Sequence, residues 1–481
     1  MSTYTVISKI VIQQVPTSDF PNRNDELTIK FLESYSGESS WESLTQTMKI
    51  VLPKRVALSS KKYPDRKYYL AGIKTQQSNI GGYLADSGEP QTGKPIPTLL
   101  RGDIITFDVG YSAVVGNKTV TYFTGQTDPT GVYKSGDSTV NGGGVIPHLF
   151  KGFISKVNPR MPFTIECQDM MWLMSYIPTE AKCYGYNDTL TDIVGAIINN
   201  ARKPDIDGNE SLLSKYERLL GEKVTICNFS KTNLVFNVQN FITQRGDLAS
   251  LLQRIKHQYH TDSWFRGSEL RIGLTHYIPN DAKDFDFQFQ KNILDGDKLA
   301  FKRKDDVPLS CIVRTNYGIE TGATTKDGKK VIKQANTEIL VYNNAGQFKY
   351  IKKEKGRDFA ANDVGKRYTL NITTHRLNKS LKNANGVIVD ADDTEALFQM
   401  GVTFLKRYYF DGVEGSFSTF GAPFVRHGDV VNLTNPVLPE MNGKYMVKSV
   451  DYSGGESEGL RQNITLGFKI TSLNDINTFN Y

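Results

Sequence analysis

The strict alternation close to the C-terminal end constrains this chain more than any other feature. Ile464, Leu466, Phe468 and Ile470 are separated by Thr465, Gly467 and Lys469. A period of two puts all four apolar side chains on one face of a strand, and a sheet with one buried face satisfies that pattern. Companion strands lie upstream. His427-Gly428-Asp429 reads as a turn feeding residues 430–433, and Asn442-Gly443 is a hairpin signal feeding 444–450. Residues 412–470 therefore form a compact β unit of three or four strands joined by tight turns.

A weaker copy of this pattern lies nearer the start. Arg101-Gly102-Asp103-Ile104 matches His427-Gly428-Asp429-Val430, and residues 152–157 resemble 444–450. Each set is followed by one further alternating strand, 163–168 or 462–470. A duplication of one β unit and a chance match of turn plus strand are both open at this point.

The remaining segments add to a β-rich plan. Strand patterns cover 6–12 and 27–32, and Met48, Ile50 and Leu52 alternate before Pro53. Residues 55–100 read as a long irregular insertion, of the kind that marks a functional loop or a subunit contact. Ile105, Phe107 and Val109 resume the alternation, and 124–144 is a second Gly-rich stretch. Helical spacing appears in the middle. Leu190, Ile193, Val194, Ile197 and Ile198 share a face behind Asp188 as a candidate N-cap, and Leu248, Leu251, Leu252, Ile255 and Tyr259 share another. After a hairpin turning at Arg266-Gly267-Ser268, Phe285, Phe287 and Phe289 alternate with polar residues. A third helix over 394–410 turns Leu397, Met400, Phe404, Leu405 and Tyr408 inward, with Asp392 and Glu395 spaced as a capping box.

At 481 residues the chain has room for two to four domains. It lacks an apolar run of eighteen residues, the densest patch being 170–174, and its start shows no signal-peptide pattern. The expectation is a soluble protein made in a cytoplasm, without membrane insertion. Cys167, Cys183, Cys227 and Cys311 are far apart, and the first and last sit in alternating apolar runs, so we read small buried thiols.

Candidate chemistry is sparse. His257 and His260 are the one close histidine pair, and without an acidic or cysteine cluster they read as helix-end residues. Glu166 and Asp169 would suit a glycosidase only if they flanked one bond, whereas i and i+3 on a strand point to opposite faces. Gly142-Gly143-Gly144 lacks the Lys-Ser/Thr of a phosphate cradle, and Arg101-Gly102-Asp103 reads as a structural turn. No catalytic, cofactor-binding or metal-binding residues are assigned, and no cofactor is expected. Charge is more informative. Residues 302–382 hold 18 Lys and Arg against 8 Asp and Glu, a surplus of +10 that leaves −3 for the rest of a chain whose net charge is +7. Tyr342, Phe348 and Tyr350 are interleaved there with Lys349, Lys352, Lys353, Lys355 and Arg357. Solvated surface, an acidic protein partner and single-stranded nucleic acid are the open readings, in that order.

Several of these pieces, in order, resemble the tail hub family of bacterial viruses, which is related to late-control protein D and to the hub part of type VI spike proteins. The pieces are SSWESLTQTMKIVLP, RGDIITFDVGY, FKGFISKVNPRMPFTIECQDMMWLM, LASLLQRIKHQYHTDSWFRGSELRIGL, FDFQFQKNIL, GSFSTFGAPFVRHGDVVNLTNP and GLRQNITLGFKI. The string F-x-G-x-I-x-x-V…I-E-C-x-D-x-M-W-x-L is the most specific. The stretches 55–100 and 320–390 have no counterpart in that pattern, and no lysozyme-like segment is visible.

The resemblance implies an α+β, mostly β chain with two similar tube-forming β-barrels bracketing a mixed module. The expected division is 1–182 for the first barrel, with the insertion 55–100, then 183–295 for the helix-containing module. The second barrel would be 296–481, with the basic insertion 320–390 and the helix 394–410. The implied role is non-enzymatic: a homotrimeric ring in the virion, at the tail tip or baseplate, adapting a sixfold tail tube to a threefold tip. Tail tube, tape-measure and spike or fibre proteins would be the partners, with DNA passing through the channel during ejection. A carbohydrate-active tail enzyme and a receptor-binding adhesin are the alternatives.

Overall fold

The computed structural model describes residues 4–53, 55–62, 64, 68–71, 83–85, 98–115, 118–128, 145–158, 162–184, 189–228, 241–273, 282–304, 310–324, 330–344, 347–354, 359, 369–375, 381–382, 388–389, 394–455 and 458–470. The chain forms two compact units, each drawn from three stretches. The first takes Met1–Leu173, Pro279–Leu299 and Gly415–Leu466; the second takes Met174–Ile278, Ala300–Glu414 and Gly467–Tyr481. These breaks do not coincide with a division in chain order at 182/183 and 295/296. The architecture is α+β and mostly β.

In the first unit, strand Tyr4–Gln13 pairs antiparallel with Glu26–Ile29 and with Ile104–Val115. From Ile104–Val115 the ladder runs through Phe150–Asn158, Phe163–Gln168, Thr47–Leu52, Ser34–Ser40, Gly443–Gly455 and Val430–Thr434, antiparallel at every step. Asp284–Gln288 then adds in parallel to Val430–Thr434. Gly412–Phe420 pairs separately with Gly459–Lys469 and with Ile293–Asp295. Separately closed barrels at the two ends are not what the described residues display. Instead, one hydrogen-bonded ladder carries the sheet from the N-terminal strands into the C-terminal ones.

The joint is strand Ser34–Ser40, Ser-Tyr-Ser-Gly-Glu-Ser-Ser, which has no β-branched residue. Packing explains the choice. A Cβ on Gly37 would lie 2.6 Å from Met48 Cε and 2.8 Å from the Thr47 carbonyl oxygen. Small side chains let this strand lie against Thr47–Leu52 while Tyr35 packs edge-on to Phe107, with ring centroids 5.0 Å apart. The closing strand matches its pattern: buried and half-buried residues alternate along all of Gly459–Lys469, with Ile464, Leu466 and Phe468 inside.

The expectation of an irregular insertion over 55–100 is corrected at its start. Arg55–Ser60 is a strand that extends the sheet from Glu26–Ile29, and Tyr68–Ala71 and Tyr83–Ala85 follow it as further strands. Val56, Leu58 and Ser60 are buried while Ala57 and Ser59 are exposed, a short alternation hidden between lysines and a proline.

The second unit holds the helices. Leu190–Ala201 is capped by Thr189, whose side chain accepts from Asp192 N, rather than by Asp188, which lies outside the described residues. Leu212–Leu220, which the sequence reading missed, starts at the Ser211 cap and ends at Gly221. Arg202 joins these two helices: its Nη2 donates to Glu217 Oε1 at 2.7 Å and to the Val224 carbonyl at 2.6 Å. Leu248–Tyr259 buries the five residues expected of it behind the Asp247 cap. In the basic region, Gln347–Lys352, Lys330–Asn344, Ser310–Thr324 and Thr369–His375 form a four-stranded sheet. Helix Thr394–Lys406 turns Leu397, Met400 and Leu405 into the core, while Tyr408 is half exposed and Asp392 of the expected capping box lies outside the described residues. No helix among the described residues is long and apolar enough to cross a membrane.

The close approach at Gly37 yields a test. Gly37→Val should lower stability by about 1–3 kcal/mol through overpacking, read as a lower urea midpoint. An unchanged midpoint would show that Ser34–Ser40 does not need the small residue.

Candidate functional site

Each half of the first unit's sheet starts from a glycine–aspartate turn. In the first, Gly102 has φ 91°, a left-handed conformation that favours glycine. Its N–H donates to the Ile154 carbonyl at 2.8 Å, Ile154 N donates to the Asp103 carbonyl at 2.9 Å, and Asp103 N donates to the Leu100 carbonyl at 3.2 Å. The Asp103 carboxylate then accepts from Val15 N through Oδ1 at 3.0 Å and from Leu100 N through Oδ2 at 2.8 Å.

The second turn repeats these five bonds one for one. Gly428 has φ 80°. Gly428 N donates to the Val447 carbonyl at 2.8 Å, Val447 N to the Asp429 carbonyl at 2.8 Å, and Asp429 N to the Arg426 carbonyl at 3.1 Å. Asp429 Oδ1 accepts from Lys283 N at 3.2 Å and Oδ2 from Arg426 N at 2.8 Å. The strands launched by the turns keep the same register, Ile104 opposite Phe153 and Val430 opposite Met446. The repeat read from the sequence is present here in hydrogen-bond detail.

The copies differ in what surrounds them. Val15 follows strand Tyr4–Gln13, which runs antiparallel to its neighbour, whereas Lys283 precedes Asp284–Gln288, which runs parallel. Asp103 is gripped by the fully buried Arg23 guanidinium, which also donates to the carbonyls of Val15 at 3.1 Å and Thr98 at 3.0 Å. Asp429 has Arg426 Nε at 3.9 Å, beyond hydrogen-bond reach. Where the first turn exposes Arg101, the second buries His427, whose Nδ1 shares a 2.6 Å hydrogen bond with Ser39 Oγ on the joining strand.

The other candidates are not brought together into a reactive constellation. Glu166 is half exposed, with Lys156 Nζ 3.8 Å away, while Asp169 is buried. Asp169 Oδ1 accepts from Met171 N at 3.0 Å, and Oδ2 is buried with no hydrogen-bond partner among the described residues. Burial lifts its pKa to about 7, against the pull of nearby backbone N–H groups. Cys167 and Cys311 are buried free thiols, the latter pushed up to about 12 by desolvation; Cys183 is exposed and Cys227 intermediate. His257 and His260 end a helix, His260 as a left-handed cap whose ring meets Phe404 edge-on at 5.7 Å. Gly142-Gly143-Gly144 lies outside the described residues.

Sequence reading missed one polar cluster because its members are distant along the chain. Asp108 accepts from Thr124 Oγ1 at 2.8 Å, with His148 Nδ1 2.9 Å from the same carboxylate oxygen, fastening the segment before Phe150 to strand Ile104–Val115. In the basic region, Phe348 packs edge-on to Tyr409 at 6.3 Å and Tyr350 tilts against Phe398 at 5.2 Å. Glu338 takes Arg314 at 3.0 Å and Lys353 at 3.4 Å. Two of the three interleaved aromatics thus have protein partners, which weakens their reading as a stacking platform; Lys355 and Arg357 lie outside the described residues.

No protein-family model matches the sequence, and no curated protein matches it. Among solved structures it is similar to the 43 kDa tail protein of prophage MuSo2 from Shewanella oneidensis, at 11% identity and TM-score 0.44, covering 95% of this chain and 98% of that one. It is also similar to a tail protein from Neisseria meningitidis, at 7% identity and TM-score 0.44, with 96% of each chain covered. A third is an Escherichia coli component of the type VI secretion system, at 7% identity and TM-score 0.36, covering 92% and 74%. These neighbours are of the kind the sequence resemblance names. At such scores no residue role or activity is carried over from them.

Arg23→Leu should leave the Asp103 charge buried and uncompensated, costing about 3–5 kcal/mol. Asp429→Asn, where Arg426 Nε stands off at 3.9 Å, should cost about 1–3 kcal/mol. Equal losses in chemical unfolding would contradict the difference between the turns. For Asp169, the folded state holds the proton more tightly than the unfolded one, so its contribution to stability is full below about pH 4 and is lost as pH rises through about 7, by at most about 1.4 kcal/mol per pH unit. Asp169→Asn should remove that decline, and a variant with the parent's pH profile would refute the assignment.

Proposed function

We propose that this chain is the hub of a phage tail, or of a phage-like injection machine, acting without catalysis as a symmetry adaptor. Three copies form a closed ring, and each contributes two related β units. Six units then face a sixfold tail tube, while the ring as a whole offers threefold symmetry to a spike or fibre. The adjoining partners are the tube protein, the tape-measure protein and tail-tip proteins, and the ring encloses part of the channel through which DNA is ejected.

The observation that carries this reading is the one-for-one match of the two aspartate turns. A duplicated β unit in one chain is what a threefold assembly needs to offer six comparable surfaces, and head-to-tail contacts around a closed ring supply the rest. The continuous ladder through Ser34–Ser40 supports it, since both copies belong to one compact unit with a fixed relation between them. The ordered series of family-like segments in the sequence points the same way. On this reading the basic stretch 302–382 faces solvent, an acidic partner or the channel.

Mass photometry of the purified chain, with imaging of the particles, tests the proposal. The expected result is a ring at three times the 53.9 kDa chain mass. A chain that stays monomeric at every concentration, with no ring in assembled particles, would sink it.

A further inference from the structure

Among the described residues, two apolar features of the first unit stand uncovered. One is a groove of about 1240 Å³ bordered by Val6, Phe31, Leu32, Pro53, Phe123 and Leu460. Phe31 is 68% exposed and Val6 43% exposed within it. Exposed Lys9 and Lys30 stand on its rim, with Glu33 beside them. The other feature is the loop between strands Val430–Thr434 and Gly443–Gly455, where Val437 is 69% and Leu438 51% exposed.

That loop is built rather than slack. Asn435 Oδ1 accepts from Val437 N at 2.9 Å and from Leu438 N at 3.1 Å, and Asn435 N donates to Asn442 Oδ1 at 2.5 Å. A 3-10 turn over Pro439–Met441 follows, and Tyr445 Oη donates to the Met441 carbonyl at 2.9 Å. Two aliphatic side chains held outward by a hydrogen-bonded frame between two prolines have little conformational freedom left to lose on docking. Such exposure of apolar surface on a rigid frame marks a contact site.

We propose that the 436–440 loop of one copy seats in the Phe31 groove of a second copy. Charge favours this occupant: Lys9 and Lys30 outnumber Glu33 on the rim, and exposed Glu440 flanks the knob. Size permits it, because the groove, at about 1240 Å³, exceeds the roughly 300–1,000 Å³ of a small-molecule pocket and leaves room for a short apolar loop tip. Among the described residues the loop leaves the groove uncovered, since Phe31, Val437 and Leu438 are all exposed. Knob and groove are different patches of one surface, so the contact is head-to-tail and propagates into a closed ring or a filament. The inference rests on the ring-forming reading above and names the surfaces that would make the ring.

Two full-length variants test it: Val437→Asp with Leu438→Asp, which spoils the knob, and Phe31→Asp, which spoils the groove. All three positions are exposed, so thermal unfolding should match the parent. In mass photometry the parent should assemble and each variant alone should be monomeric. An equimolar mixture should form a dimer and stop there, because one intact knob meets one intact groove. Glu440→Lys should weaken assembly roughly tenfold, and adding Lys30→Glu to the same chain should restore it. Variants that assemble like the parent would overturn this contact while leaving the ring reading intact. Two monomeric variants whose mixture gives no dimer would overturn the head-to-tail pairing. A parent that never assembles would overturn the contact and the reading beneath it.

Discussion

A carboxylate taken out of water needs a donor for nearly every lone pair, and the first unit is assembled around two that have been supplied in this way. Asp103 draws in Val15 from the end of one strand, Leu100 from its own turn and Arg23 from a connection between strands. Three segments that share no secondary structure thereby meet at one side chain. Asp429 does the same with Lys283 and Arg426, and backbone bonds at each turn fix the following strand against its partner. The positions where the sheet's strands begin are thus set by charge satisfaction, and apolar burial fills in behind. Removing a carboxylate would release several backbone donors at once, which is why such groups are costly to change.

Much of this was legible in the sequence where the signal is local. Alternation predicted the Gly459–Lys469 strand and its buried face, helical spacing predicted Leu248–Tyr259 residue for residue, and the two Gly-Asp pairs announced the matched turns. The illegible parts depend on partners far along the chain. Ser34–Ser40 carries no apolar period, and at Gly37 its neighbour Thr47–Leu52 leaves no room for a side chain, so a propensity reading passes over it. The Leu212–Leu220 helix is short, little more than two turns, with its stop at Gly221 as the clearest mark. Asp108, Thr124 and His148 form a cluster only after the strands have paired. The basic aromatics looked available from spacing alone, yet Phe348 and Tyr350 turn towards Tyr409 and Phe398.

A common thread runs through the polar groups that the fold does bury. Arg23 with Asp103, Arg202 with Glu217, Asp108 with Thr124 and His148, and Ser39 with His427 each tie together segments that are distant in sequence. These side chains are used as cross-links, with their hydrogen-bonding capacity directed at backbone and at one another. Such use suits a protein whose surfaces must keep fixed spacing under load, and it fits the structural role proposed for the chain.

The Ser39–His427 bond spans 388 residues, and the strand around Ser39 is the one that joins the two ends of the sheet. At a synthesis rate of about 5–20 residues per second, the early strand waits roughly 20–80 s on the ribosome before its partner exists. During that interval one edge of the nascent sheet has nothing to pair with, the situation in which sheet edges recruit the wrong chains. A waiting edge of four serines, one glycine and one glutamate, with Tyr35 as its one large apolar side chain, offers a neighbouring nascent chain little apolar surface to seize. The residues that made this strand hard to recognise are the ones that keep it harmless until the chain is complete.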